Sequence, residues 1–150
     1  MNTIADLAWA AGIIDGEGSI FIMKQQRKDR ERGHNYILRI SVQSTDPYMT
    51  KELGKLFPEG AIFSQNRYQS ENWSDTLKWQ VSGRRAVNIL KQILPFMRVK
   101  QDQAKMAVDF QETTKKHWRH MTTLDYDTQE AFYYSLKQAK QDLKIGKSNS

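Results

Sequence analysis

The sequence predicts a small α+β domain, ordered αββαββα with extra C-terminal helices, in which helices cover one face of an antiparallel sheet. Three observations predict it. The order helix, strand, strand occurs twice in the first two thirds of the chain. Residues 35–43 alternate cleanly, Tyr36, Leu38, Ile40 and Val42 facing one way and Asn35, Ile37, Arg39, Ser41 and Gln43 the other, the period of a half-buried strand. The final third carries helical patterning with no strand signal, and 150 residues suffice for one hydrophobic core.

Taken in order, the first helix spans Thr3 to Asp15, with Asn2 or Thr3 as N-cap and Asp6 at the positive end of the dipole. Gly16 and Gly18 stop it. Ala5, Ala8 and Gly12 line one face at helical spacing, with Ala11 on its border. Ser19 to Met23 starts a strand that runs into polar sequence, residues 27–34 form a charged hairpin loop, and Asn35 to Gln43 returns. Thr45-Asp46-Pro47 starts a helix that continues to Pro58. Gly60 opens a second hairpin with arms Ala61 to Gln69 and Trp73 to Ser82. Helices follow at Arg84–Leu94, Lys100–Lys115 and Thr128–Leu143. Residues 1–144 read as one domain and 145–150 as a flexible tail.

Lys and Arg outnumber Asp and Glu by 23 to 17, a net charge of +6 that favours polyanionic partners. The absence of cysteine excludes a disulfide scaffold, a cysteine nucleophile and thiolate metal sites. Three histidines leave little for a zinc site, so any metal is expected to be hard and oxygen-bound. The longest apolar stretch, Leu7–Ile14, is far below the roughly 20 residues a spanning helix needs. Flanking acids, Asp6 and Asp15, do not suit a signal peptide. The expectation is an intracellular protein of cytoplasm, nucleoid or organelle matrix, neither secreted nor membrane-bound.

The run Ala10-Ala11-Gly12-Ile13-Ile14-Asp15-Gly16-Glu17-Gly18 resembles the LAGLIDADG motif of homing endonucleases, with Glu in place of the second Asp. The segment Val42-Gln43-Ser44-Thr45-Asp46-Pro47 is similar to the end of that family's second strand. Leu94-Pro95-Phe96 with Lys100-Gln101 is similar to its helix–Pro–basic segment. The resemblance covers most of residues 4–110. It implies a homing-endonuclease-like domain whose antiparallel sheet binds DNA.

A small-residue face lets a second helix approach closely. The acids at the two helix ends then meet, which is costly unless a cation separates them. Mg²⁺ suits that role, and Mn²⁺ or Ca²⁺ fits the same oxygen donors. One motif per chain makes the second copy a second subunit, and C₂ pairing is the commonest arrangement.

The resemblance implies metal ligation by Glu17, assisted by the Gly16 carbonyl, with Lys100, Gln103 and Ser44 completing the catalytic set. The helix-pairing residues are Ala8, Ala11, Gly12 and Asp15, and Asp15 fits better as a structural residue of the helix end. The DNA-reading face comprises Gln25, Arg27, Asn35, Arg39, Ser41 and Gln43 from the first hairpin. Gln65, Arg67, Gln69, Lys78 and Gln80 come from the second, and the whole face is nearly free of acids. The implied activity is that of a Mg-dependent, homodimeric, site-specific double-stranded DNA endonuclease. It would cut a long pseudo-palindromic site, leave 3′ overhangs and serve intron homing. The alternatives are an inactive relative serving as an RNA maturase or DNA-binding regulator, and a small α+β domain that merely dimerises through its alanine helix. His117-Trp118-Arg119-His120 reads as a loop or helix-end cluster, and the lysines at 137, 140, 144 and 147 as a solvated face, with backbone contacts to DNA as the alternative.

Overall fold

A computed structural model describes residues 1–29, 33–65, 76–113 and 122–148. The order is α1 (Ile4–Glu17), β1 (Gly18–Gln26), β2 (His34–Ser44), α2 (Pro47–Leu56), β3 (Ala61–Gln65), β4 (Thr76–Ser82), α3 (Gly83–Ile93), a 3₁₀ turn (Leu94–Phe96), α4 (Gln101–Thr113) and α5 (Thr123–Ser148). The strands form one antiparallel sheet in the order β1-β2-β4-β3. Arg67, Gln69 and the His117–His120 cluster lie outside the described residues.

Local chemistry explains the boundaries. Thr3 and Asp6 form a reciprocal capping box that starts α1, and Asp46 accepts from the Tyr48 N–H with Pro47 in the first turn of α2. Gly83, at φ +64°, makes the left-handed turn that joins β4 directly to α3. At Gly60 the constraint is space: a Cβ would land on the Trp79 indole.

The largest departure from the sequence reading is α5. It starts at Thr123 rather than Thr128 and continues to Ser148, through the stretch read as a tail. Thr122 and Asp125 form a second reciprocal cap, which sets the true start. The Thr128 hydroxyl instead donates to the Leu124 carbonyl inside the helix. The first helix also runs past Asp15, taking in Gly16 and Glu17 before Gly18 turns extended.

One sheet face carries Ile20, Ile22, Leu38, Ile40, Val42, Trp79 and Val81, all buried. Against it pack Ala10, Ala11 and Ile14 of α1, Leu53 of α2, the apolar face of α3, Phe110 of α4 and Leu136 of α5. Each fully buried aliphatic side chain contributes about 1.5–3 kcal/mol. Helix α5 is fixed to β2 where the Tyr36 hydroxyl donates to Glu130 Oε1 and its ring meets that of Tyr133. The described helices pack on this side, and among the described residues the opposite sheet face meets a helix where Lys140 of α5 reaches Ser19 and Phe21 of β1.

Candidate nucleic-acid interface and catalytic end

Two surfaces meet at the C-terminal end of α1. The first is the helix itself. Its inner side is buried, whereas Ile4, Ala5, Ala8, Trp9, Gly12 and Gly16 are exposed, an uncharged and mostly small-residue face. Of the expected pairing residues, Ala8 and Gly12 lie on this outer face. Ala11 does not: at 0% exposure it belongs to the core of its own chain, because its place on the helix faces the sheet.

Asp15 lies between the two sides and has a structural role. Its carboxylate accepts the backbone N–H of Arg98 at 2.7 Å and of Lys100 at 2.9 Å, tying the segment before α4 to the end of α1. The Lys100 side chain completes the tie. Its Nζ donates to the Gly18 carbonyl at 2.5 Å and to that of Ile14 at 3.3 Å. An ammonium suits this place because the last carbonyls of a helix lack internal partners and carry its negative dipole end; α1 has no basic residue of its own there. Gly18 permits the close turn, since a Cβ would sit 2.8 Å from both Cα and O of Ile14.

This arrangement leaves Glu17 exposed at the helix end, next to the glycine whose carbonyl binds Lys100. Among the described residues no three acidic or histidine side chains cluster closely enough to hold a metal. Gln103 is buried beside Lys100, and its Oε1 has no hydrogen-bond partner among the described residues. Ser44 is placed differently from expectation. Strand alternation puts it on the same side as Val42, and its hydroxyl accepts the Asp46 N–H ahead of α2. The outward residue there is Gln43, next along β2 from Val42, the partner of Gly18.

The second surface is the open sheet face. The register brings Gln25 opposite Asn35, Ser41 opposite Gln80, and Gln43 opposite Lys78, all on the face away from the core. Arg39 lies among them, donating to the Ser82 hydroxyl and toward the Met23 sulfur. Gln65 pairs by register with Thr76 at the end of β3. Not one described strand residue is Asp or Glu. Arg27 departs from the expected set. It follows the end of β1 and forms a two-point ion pair with Asp29, which raises its pKa through the hydrogen bond and the neighbouring charge. Ser19 and two lysines of α5, Lys140 and Lys144, also border Lys100 and Gln103 at this end of α1. The sequence shows the lysines but not this place for them, because nothing local reveals where a C-terminal helix docks.

An open sheet face without acidic strand residues, beside an exposed carboxylate at the end of α1, is the arrangement that comparison with known proteins places in a family. The family model of the LAGLIDADG endonuclease matches residues 10–117, and the chain belongs to that family. The solved homing endonuclease I-CvuI, in complex with its target in the presence of 2 mM Ca, matches with TM-score 0.65 and 16% identity over 95% of this chain and 84% of that one. An archaeal intron-encoded homing endonuclease, I-Vdi141I, complexed with DNA, matches with TM-score 0.74 and 17% identity over 90% and 84%. The meganuclease I-SmaMI, bound to uncleavable DNA, matches with TM-score 0.64 and 18% identity; 88% of this chain covers only 45% of that one. No curated protein sequence matches. No helix among the described residues is long and apolar enough to cross a membrane.

Proposed function

We propose that the protein is a site-specific double-stranded DNA endonuclease that works as a homodimer, requires Mg²⁺ and leaves 3′ overhangs at a long pseudo-palindromic site. The observation that carries this reading is the exposed small-residue face of α1 ending in an exposed carboxylate, Glu17. Two copies of that face, paired across a twofold axis, bring two Glu17 carboxylates together. This chain corresponds to about half of I-SmaMI, which supports the need for a second copy. Ala8 and Gly12 pair the helices, with Ala5 and Trp9 extending the contact.

The donor set fits a hard cation. Glu17 and the Gly16 carbonyl offer oxygen only, and the Ile14 and Gly18 carbonyls are already engaged by Lys100. Bound there, Mg²⁺ supplies Lewis-acid polarisation of the phosphodiester. The chain's own residues do the rest. Lys100 holds its ammonium at the helix end, where it stabilises charge developing on the phosphate. Gln103 orients solvent. Gln43, not Ser44, is the polar side chain of β2 on the DNA side. Gln25, Asn35, Arg39, Ser41, Gln43, Gln65, Lys78 and Gln80 read base edges and phosphates from the major groove. The likeness to the intron-encoded homing endonuclease I-Vdi141I supports an intron-homing role.

The test is incubation with a plasmid library carrying random inserts, with Mg²⁺ or with EDTA. Discrete cuts at one recovered sequence, with staggered 3′ ends and only with Mg²⁺, are expected. Tight DNA or RNA binding without any cut would replace this reading with that of a binding module.

A further inference from the structure

The sheet face away from the core carries apolar side chains as well as polar ones. In the first hairpin, alternation with the buried Ile20, Ile22 and Leu38 puts Phe21, Met23 and Ile37 on that face. Phe21 is taken up by α5: it lines a cavity with Tyr133 and Leu136, and the Lys140 ammonium lies 5.6 Å from its ring centre. Met23 and Ile37 are cross-strand partners further along the hairpin, partly exposed and outside the core. Such a pair covers part of its own apolar area, and the rest stays in water until a partner covers it.

Arg39, the next outward residue of β2, indicates the partner. Its Nε donates to the Ser82 hydroxyl at 3.1 Å and its Nη1 to the Met23 sulfur at 3.2 Å. Among the described residues, Nη2 and the second Nη1 hydrogen remain to donate, the two-pronged end that meets O6 and N7 of guanine. With no Asp or Glu on the described strands, the face complements a polyanion. An apolar pair beside that arginine in a major groove meets the apolar group that thymine presents there, its 5-methyl. Outward residues two apart in a strand lie about 6.7 Å apart, the span of about two base pairs of B-DNA.

Resting on the DNA-cleaving reading above, we propose that Met23 and Ile37 are specificity-determining residues that take a thymine methyl, about two base pairs farther from the cut than a guanine read by Arg39. The order along β2 sets the direction, since Val42 pairs with Gly18 at the end of α1 and Arg39 and Ile37 follow away from it. Met23 links the two contacts: its sulfur steadies Arg39, and its unbranched chain adapts to one side of the methyl.

The experiment selects bound duplexes from a random pool in EDTA, using wild type, Arg39→Ala, Ile37→Ser, Ile37→Val and Met23→Leu. Arg39→Ala should lose the preference for one guanine in each half-site. Ile37→Ser should lose it for one thymine about two base pairs farther out, and Ile37→Val should keep it. Met23→Leu retains the apolar wall without the sulfur, so the thymine preference should stay while that for guanine weakens. Each thymine of one half-site is then replaced in turn by deoxyuridine, which removes the methyl alone, and affinity is read by fluorescence anisotropy. At one position wild type and Ile37→Val should lose about fourfold, the worth of one buried carbon, and Ile37→Ser should bind both duplexes equally. An Ile37 that only stabilises the sheet would lower the melting temperature of Ile37→Ser without changing this ratio. The wild-type comparison needs no variant, so it carries the test even if Ile37→Ser fails to fold. Equal binding of thymine and deoxyuridine duplexes by wild type, or an unchanged ratio in Ile37→Ser, would overturn the proposal and leave the DNA reading intact. Failure of wild type to select any sequence would overturn both.

Discussion

Lys100 is tied to the end of α1 through both its backbone and its side chain: the Asp15 carboxylate accepts the Lys100 backbone N–H at 2.9 Å, and the Lys100 ammonium donates to the carbonyls of Ile14 and Gly18. Residues 85 positions apart are thereby locked at the end of α1. Charge complementarity to the helix end makes Lys100 a structural residue as well as a candidate for chemistry.

Removing the Asp15 acceptor should therefore weaken the whole fold. Asp15→Ala leaves the Arg98 and Lys100 amides without their charged partner, at a cost of about 1.5–3 kcal/mol. A lower urea midpoint with an unchanged m-value is the expected readout. Lys100→Met should lower both stability and cleavage, whereas a purely catalytic lysine would lower cleavage alone.

Three glycines of α1 and its cap separate packing within a chain from pairing between chains. A Cβ at Gly12 or Gly16 meets nothing within 4 Å, whereas one at Gly18 meets the Ile14 backbone at 2.8 Å. Gly12→Leu should keep or raise the melting temperature of the lone chain, since leucine favours helix over glycine by up to about 1 kcal/mol. It should nonetheless drive the mass from twice 17.5 kDa to 17.5 kDa and abolish cleavage. Gly18→Ala should unfold the chain more readily. Light scattering and thermal melts read both; an unaltered dimer of Gly12→Leu would place the pairing surface elsewhere.

Tyr36 provides a pH signature for the docking of α5. Burial first, and the Glu130 carboxylate next, push its pKa from 10.0 up to about 12. The native state thus holds this proton more tightly than the unfolded chain. Its contribution is fully present below pH 10.0 and is lost as pH rises toward about 12. Tyr36→Phe should cost about 0.5–1.5 kcal/mol at neutral pH through the lost hydrogen bond, and should make the alkaline decline shallower. Melting curves across that range decide it.

The sheet face should dominate the salt dependence of binding. Arg39 is held in place by Ser82 and Met23 on that face. Arg39→Glu should weaken duplex binding far more than Lys51→Glu on the helical side. Equal losses in a binding titration would mean that another surface meets the DNA.

Much of this architecture was legible because it rests on local rules. Period-two alternation assigned the faces of β2 correctly, and Asp46-Pro47 marked the start of α2. Ser44 shows the limit: the same alternation, carried one residue further, turns it inward, yet the resemblance had grouped it with the catalytic residues. Ala11 shows another, since a stripe of alanines does not say which edge faces the sheet until the partner elements are known. The grouping of Lys100, Lys140 and Lys144 joins residues from segments remote in sequence, and only tertiary docking of α5 assembles it.

On the proposed function, Glu17, supplied once by each subunit, holds the metal required for DNA cleavage. Glu17→Gln preserves size while removing the charge, and a dimer carries the change twice. Gel-shift and nicking assays on one preparation of this variant, using the site recovered from the library, test the claim most directly. Cleavage should fall by orders of magnitude in Mg²⁺ while the gel shift stays at wild-type affinity or tightens, since acid–acid repulsion is relieved. Nicking by Glu17→Gln at the wild-type rate would contradict the claim.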